Sequence, residues 1–206
     1  MSRRAILDGG TYYHAEALHG RRYRGCFGEI LYAPELTAEH LSDVGLLIVP
    51  DRTAPAILRA KRPLLLDVLH RGGTLVVFAE TGAAAWAPNV SWHFSPVNFW
   101  WWRHDEPPPP VALRAAGHSL FRHLSLADCV WHHHGSLAAP SGATPLVTLG
   151  ETEPAPCLIY EDRVSSAGRL IVSTLDPFYH HGSHFMPAAT RFLDGFARWA
   201  EEDWKS

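Results

Sequence analysis

Short blocks of consecutive apolar residues, bounded by glycine, proline or aspartate, mark the first part of the chain. Ala5-Ile-Leu7, Leu46-Leu-Ile-Val49 and Leu75-Val-Val-Phe-Ala79 are apolar on successive rather than alternate positions. Strands of that kind are covered on both faces, and they belong to parallel sheets wrapped by helices. The pattern predicts strands at residues 4–8, 29–32, 45–50 and 73–79. Between them, Thr37 offers an N-cap for a short helix to Ser42. Pro63 reads as a first-turn proline, with Leu64, Leu65, Val68 and Leu69 on one helical face and Gly72-Gly73 as the stop. Strand, helix and strand in alternation predict an α/β domain.

From Trp86 the pattern breaks. Ser91-Trp-His-Phe94, Phe99-Trp-Trp-Trp102 and four prolines, Pro107 to Pro110, follow in quick succession. Prolines lack backbone donors and favour a stiff extended connector, so residues 86–117 read as an excursion from a single domain spanning 1–206. Short strands resume at 129–133, 145–149, 157–160 and 169–174, divided by glycine, proline and serine turns. Ala189, Phe192, Leu193, Phe196 and Ala200 then recur at three- and four-residue intervals, which predicts a C-terminal amphipathic helix docked on the sheet.

Composition narrows the function classes. The chain has 206 residues, 47% of them hydrophobic, enough for one well-buried domain. A formal net charge of -3 gives no basic excess, so a nucleic-acid partner is not expected. No apolar run approaches the roughly 20 residues of a spanning helix, and the N-terminus turns polar before a signal-like core develops. The expectation is a cytoplasmic protein with no membrane partner. Cys26, Cys129 and Cys157 have no paired spacing, as reduced core thiols would not.

Ligands of open α/β sheets sit at the carboxyl ends of strands. The strand ending Val76-Val-Phe-Ala79 runs into a tight turn at Glu80-Thr81-Gly82, which aims Glu80 at that edge. The late strand from Gly168-Arg169 ends in Leu175-Asp-Pro-Phe-Tyr-His-His-Gly182. These two pieces, with a terminal helix ending Arg198-Trp-Ala200, resemble the class I glutamine amidotransferase-like superfamily. Gly9-Gly10 followed by His14, and His118-Ser-Leu-Phe121, bring the likeness nearest to its trehalose-utilisation (ThuA-like) branch. The resemblance implies a flavodoxin-like three-layer sandwich with a mostly parallel central sheet. Working amidotransferases of this fold carry a cysteine on the elbow and a His-x-Glu pair after a late strand. Here Glu80 stands at the elbow, and Ser183 and His184 follow the candidate histidines His180 and His181. A carboxylate cannot replace a thiolate in glutamine hydrolysis, so glutaminase activity is not expected.

The expected function is to bind or process a small polar, carbohydrate-like metabolite, with Glu80, His180 and His181 as the catalytic candidates. Gly10, His14, Thr81, Trp101, Arg103, Asp176 and His184 are the ligand-binding candidates. Glu80 reads equally well as a general base or as a structural carboxylate satisfying backbone donors of a following helix. His132-His133-His134 form a second imidazole cluster, of which at most alternate members could converge if extended. The spacing matches no specific metal motif, so no metal and no cofactor are assigned. A metal-assisted hydrolase or isomerase using Glu80 and the loop histidines stays open as an alternative, as does a non-catalytic oligomeric binding protein. The Phe99–Trp102 run suits a subunit interface, with a pocket wall across it as the second reading, so a homo-oligomer is expected.

Overall fold

The computed structural model describes residues 2–95, 107–108 and 110–206. In chain order the elements are β1 (Arg3–Asp8), α1 (Tyr12–His19), β2 (Glu29–Tyr32), α2 (Ala38–Leu41), β3 (Val44–Val49), α3 (Pro55–His70) and β4 (Thr74–Val77). Then come β5 (Ser91–Phe94), β6 (Val111–Leu113), β7 (Gly135–Ala138), β8 (Thr144–Leu149), β9 (Cys157–Asp162), β10 (Arg169–Ser173), α4 (Pro177–Gly182) and α5 (Pro187–Glu202). All ten strands join one sheet in the order β2-β1-β3-β4-β10-β9-β7-β5, with β8 on β9 and β6 on β8.

The sequence of the parallel strands shows why helices cover both faces. Side chains alternate across a strand. Ala5, Leu7, Leu47, Val49, Leu75 and Val77 therefore meet α2 and α3 on one face. Ile6, Leu46, Ile48 and Val76 meet α1, α4 and α5 on the other. Both alternating sets are apolar, so the strands read as continuous runs.

The mostly parallel sheet expected from the sequence is corrected to a mixed one. Strands β2, β1, β3, β4 and β10 are parallel, but β5 to β9 all pair antiparallel. Parallel neighbours need a crossover of a dozen residues or more. The links at residues 150–156 and 163–168 are too short for that, so β8, β9 and β10 fold back as hairpins. β5 and β6 carry the 86–117 excursion into the same sheet.

Three local expectations also change. Pro63 lies inside α3, which starts at Pro55 and extends to His70. Its ring falls on the exposed side of the helix, where water can take the carbonyl that a proline leaves without a donor. The strand expected at 129–133 is instead the end of a 3-10 turn, Leu126–Cys129, and an irregular segment outside the ladder. The loop expected after β10 is the short helix α4, begun by Pro177 at its first turn.

At the amino edge of the parallel strands, a buried charged network ties the chain's end to the sheet. The Arg169 guanidinium donates to Glu161, and its Nη1 donates to the Trp204 carbonyl at 2.8 Å. Glu161 also accepts from Arg163 at 2.7 Å and lies 3.1 Å from His118 Nε2. Burial opposes ionisation of Glu161, but the hydrogen bonds from His118 and Arg163 and the charge of Arg169 outweigh it and bring its pKa down to about 2.

Candidate functional site

The opposite, carboxyl edge gathers a second set of charged groups. β3 runs on into Pro50-Asp51-Arg52 and β4 into Phe78-Ala79-Glu80; the Arg52 N–H donates to the Ala79 carbonyl at 3.0 Å, stitching the two turns together. Arg52 and Glu80 both adopt left-handed backbone, with φ of 56° and 58°. Side chains other than glycine pay roughly 1–3 kcal/mol for sparsely populated backbone of this kind, and such residues cluster at functional sites. The two strained residues are also partners. Arg52 Nη2 lies 2.9 Å from Glu80 Oε2 and 2.9 Å from Asp176 Oδ2, joining the ends of β3, β4 and β10. The guanidinium carbon sits 3.8 Å from the centre of the Tyr179 ring, a cation–π contact that fixes its plane.

Asp176 follows β10 and is fully buried. Burial alone would raise its pKa, but His180 and Arg52 outweigh that and hold the carboxyl below its ordinary range. His180 Nε2 lies 3.1 Å from Asp176 Oδ1. The ring of His132 meets that of His180 edge to face at 4.3 Å. His134, two residues further along the same segment, places Nδ1 3.6 Å from Glu80 Oε1 and Nε2 3.9 Å from Asp176 Oδ2. The rings of His132 and His134 also meet edge to face, with 5.4 Å between their centres. Burial first, and His180 second, push the His132 pKa down to about 3, so that ring is neutral at neutral pH.

Two buried groups hold this arrangement. Asp51 accepts the Phe178 N–H at 2.8 Å and the Tyr179 N–H at 2.9 Å, anchoring the start of α4 beneath the cluster. Full burial and then the charge of Asp176 raise the Asp51 carboxyl well above its ordinary range. His14 Nδ1 accepts the Gly9 N–H at 3.1 Å, and its Nε2 faces the Asp51 carbonyl at 2.8 Å. Those partners require the Nε2–H tautomer, with Nε2 as donor. The ring thus staples the turn after β1 to the turn after β3. Gly9 must be glycine here, since a Cβ would lie 2.8 Å from the imidazole.

Beside the elbow opens a cavity of about 410 Å³. Glu80 and His134 contribute polar lining, and Trp92, Phe94 and Phe78 its aromatic walls. The Glu80 side chain is 30% exposed and that of Arg52 27%, so a ligand can reach both. None of the lining residues is a cysteine. A larger cavity of about 850 Å³ lies at the amino edge, bordered by Arg163 and Arg169, but those two side chains are already engaged by Glu161.

The structure brings Glu80, Asp176 and His180 together. His181 turns the other way, with Nδ1 2.8 Å from Thr190 Oγ1 and its ring against Tyr23. Successive helical residues diverge by about 100°, so only one of the pair can face the cluster. His184 is exposed, 3.7 Å from Glu16. Gly10 closes its turn by donating to Asp8 at 2.8 Å, at a φ of 76°. Thr81 borders the cavity, but its hydroxyl donates to the Phe78 carbonyl at 3.0 Å. Trp101 and Arg103 lie outside the described residues.

Arg52, Asp51 and Tyr179 were not among the sequence candidates, and His132 and His134 were given no partners. The signal for the first two was present: a charged pair one residue beyond the apolar run Leu46–Val49 belongs to the sheet's carboxyl edge.

These features define a mixed α/β protein with a charged, aromatic-walled pocket at the carboxyl ends of its parallel strands. No family model and no curated protein matches the chain. Among solved structures, a ThuA-like protein from Bacteroides uniformis has the same fold, with a TM-score of 0.54 at 12% identity over 98% of this chain and 92% of that one. A cytoplasmic protein from Salmonella typhimurium is similar at a TM-score of 0.51, 10% identity and coverage of 95% and 98%. A second from that organism gives 0.50, 15%, 96% and 100%. The fold is therefore ThuA-like. No helix among the described residues is long and apolar enough to cross a membrane.

Proposed function

We propose that this chain is an amidotransferase-like protein, without glutaminase activity, that binds or processes a small polar, carbohydrate-like metabolite in the elbow cavity. The observation that carries the reading is the pairing of Arg52 with Glu80, both in left-handed backbone at the ends of adjacent strands. Non-glycine residues in such backbone cluster at functional sites, and this pair stands beside the cavity. Glu80 accepts a ligand hydroxyl, and Arg52 holds its carboxyl group in place. The cavity has the usual character of a small-molecule site: mostly apolar and aromatic walls with a few convergent polar groups. Trp92 and Phe94 offer flat faces for the carbon-bound hydrogens of a sugar ring.

Glucose, trehalose and sorbitol, titrated in a thermal-shift measurement, test the reading, since a ligand that binds only the folded state raises Tm. At least one is expected to raise the Tm of the wild type. Glu80→Gln should keep the unliganded Tm within a few degrees but lose at least about tenfold in affinity, as a hydrogen bond to a charged acceptor contributes about 1.5–3 kcal/mol. A flat wild-type response to all three, or equal affinity in the variant, counts against the proposal.

A further inference from the structure

We infer that His132, His134 and Asp176 form a binding site for one divalent transition-metal ion, open to the elbow cavity. The inference adds an ion to the pocket proposed above and shares its location. One donor atom from each of the three residues lies within 4.8 Å of the others. Bonds of about 2.0–2.2 Å to a shared ion would require each donor to close by about an ångström or less.

The donor set speaks to the kind of ion. Two imidazoles and one carboxylate suit zinc and its neighbours, whereas magnesium and calcium prefer all-oxygen ligands. Three protein ligands leave a coordination position open, as in catalytic rather than structural sites. The opening is on the cavity side, because His134 borders the cavity while His132 and Asp176 are buried behind it. Charge favours a cation as well. Two carboxyl groups, Glu80 and Asp176, face the single guanidinium of Arg52. Arg52 occupies one position on Asp176 Oδ2, and His180 approaches Oδ1; a carboxylate has about four acceptor positions, so others remain. Contacts of this kind are what metal-bound carboxylates receive from the surrounding protein. An ion here would polarise an oxygen of the small polar ligand, with Glu80 beside it.

The experiment is a Co²⁺ titration of the chelator-treated 206-residue chain, followed by visible absorption and calorimetry. One equivalent is expected to bind and develop d–d bands that Zn²⁺ then bleaches. His134→Ala and Asp176→Asn should each weaken binding at least about 100-fold, beyond the 10–100-fold typical of changes to supporting residues. His70→Ala, an exposed histidine on α3, should leave affinity unchanged. Circular dichroism verifies folding, and His134→Ala decides alone if Asp176→Asn unfolds. Absence of bands, or equal binding by folded His134→Ala, overturns the inference. Running the sugar titrations on both the metal-free and the cobalt-treated protein separates the two proposals. A sugar response without cobalt binding sinks only the ion, and cobalt binding without a sugar response sinks only the metabolite.

Discussion

Glu161→Leu is expected to lower unfolding free energy by about 3–5 kcal/mol, because it strands the buried guanidinium of Arg169. The cost comes from the charge left behind rather than from the net worth of the pair. Removing both charges, as in Glu161→Leu/Arg169→Met, is therefore expected to recover most of the loss, since well-packed apolar replacements of buried pairs are often neutral. Urea unfolding of the three proteins checks this, and a double variant no more stable than Glu161→Leu would sink the argument. The same carboxylate makes a pH prediction. Its folded-state pKa of about 2 lies below the ordinary 4.5, so its contribution is complete above about pH 4.5 and lost as pH falls toward 2. That loss amounts to about 3 kcal/mol, and it should be missing from the acid limb of the double variant.

How much of this was legible in the sequence depended on whether a signal was local. The parallel strands announced themselves because both faces of each are apolar, as Leu46 to Val49 shows. The helix at the C-terminus was equally readable from Phe192, Leu193 and Phe196, whose spacing survives without knowledge of what they touch. The direction of β9 was not, because a strand's own pattern does not say how its neighbours run; the short links on either side carried that information. Within the site, Glu80 was legible from the strand-to-turn transition and Asp176 from the end of β10. His132 and His134 were recognisable as alternate members of one imidazole run, but not as neighbours of His180, since that contact joins segments far apart in the chain. His181 was indistinguishable from His180 until residues 177–182 became a helix and sent the two rings apart. His14 looked like a ligand residue because it follows two glycines; its ring is occupied by backbone groups on both nitrogens.

Asp51→Ala should remove about 2–5 kcal/mol of stability, because it leaves the Phe178 and Tyr179 N–H groups without their acceptors and each buried orphan costs about 1–3 kcal/mol. Asp51→Asn keeps one carbonyl acceptor but turns an NH₂ toward the other donor, so its cost should be about half as large. The site is expected to suffer in the same order. Asp51 is out of a ligand's reach, being fully buried, yet it fixes the start of α4, and α4 carries both Tyr179, which covers Arg52, and His180, which meets Asp176. Chemical denaturation gives the stabilities, and the Co²⁺ and sugar titrations give the effect on the site at a temperature where each variant remains folded. If Asp51→Ala is as stable as wild type, the two backbone donors have found other acceptors and the carboxylate is not the anchor of α4. If it is destabilised but binds both probes normally, α4 holds His180 and Tyr179 in place through its packing on α1 and α5, and the pocket's geometry is set from the helix side rather than from the turn after β3.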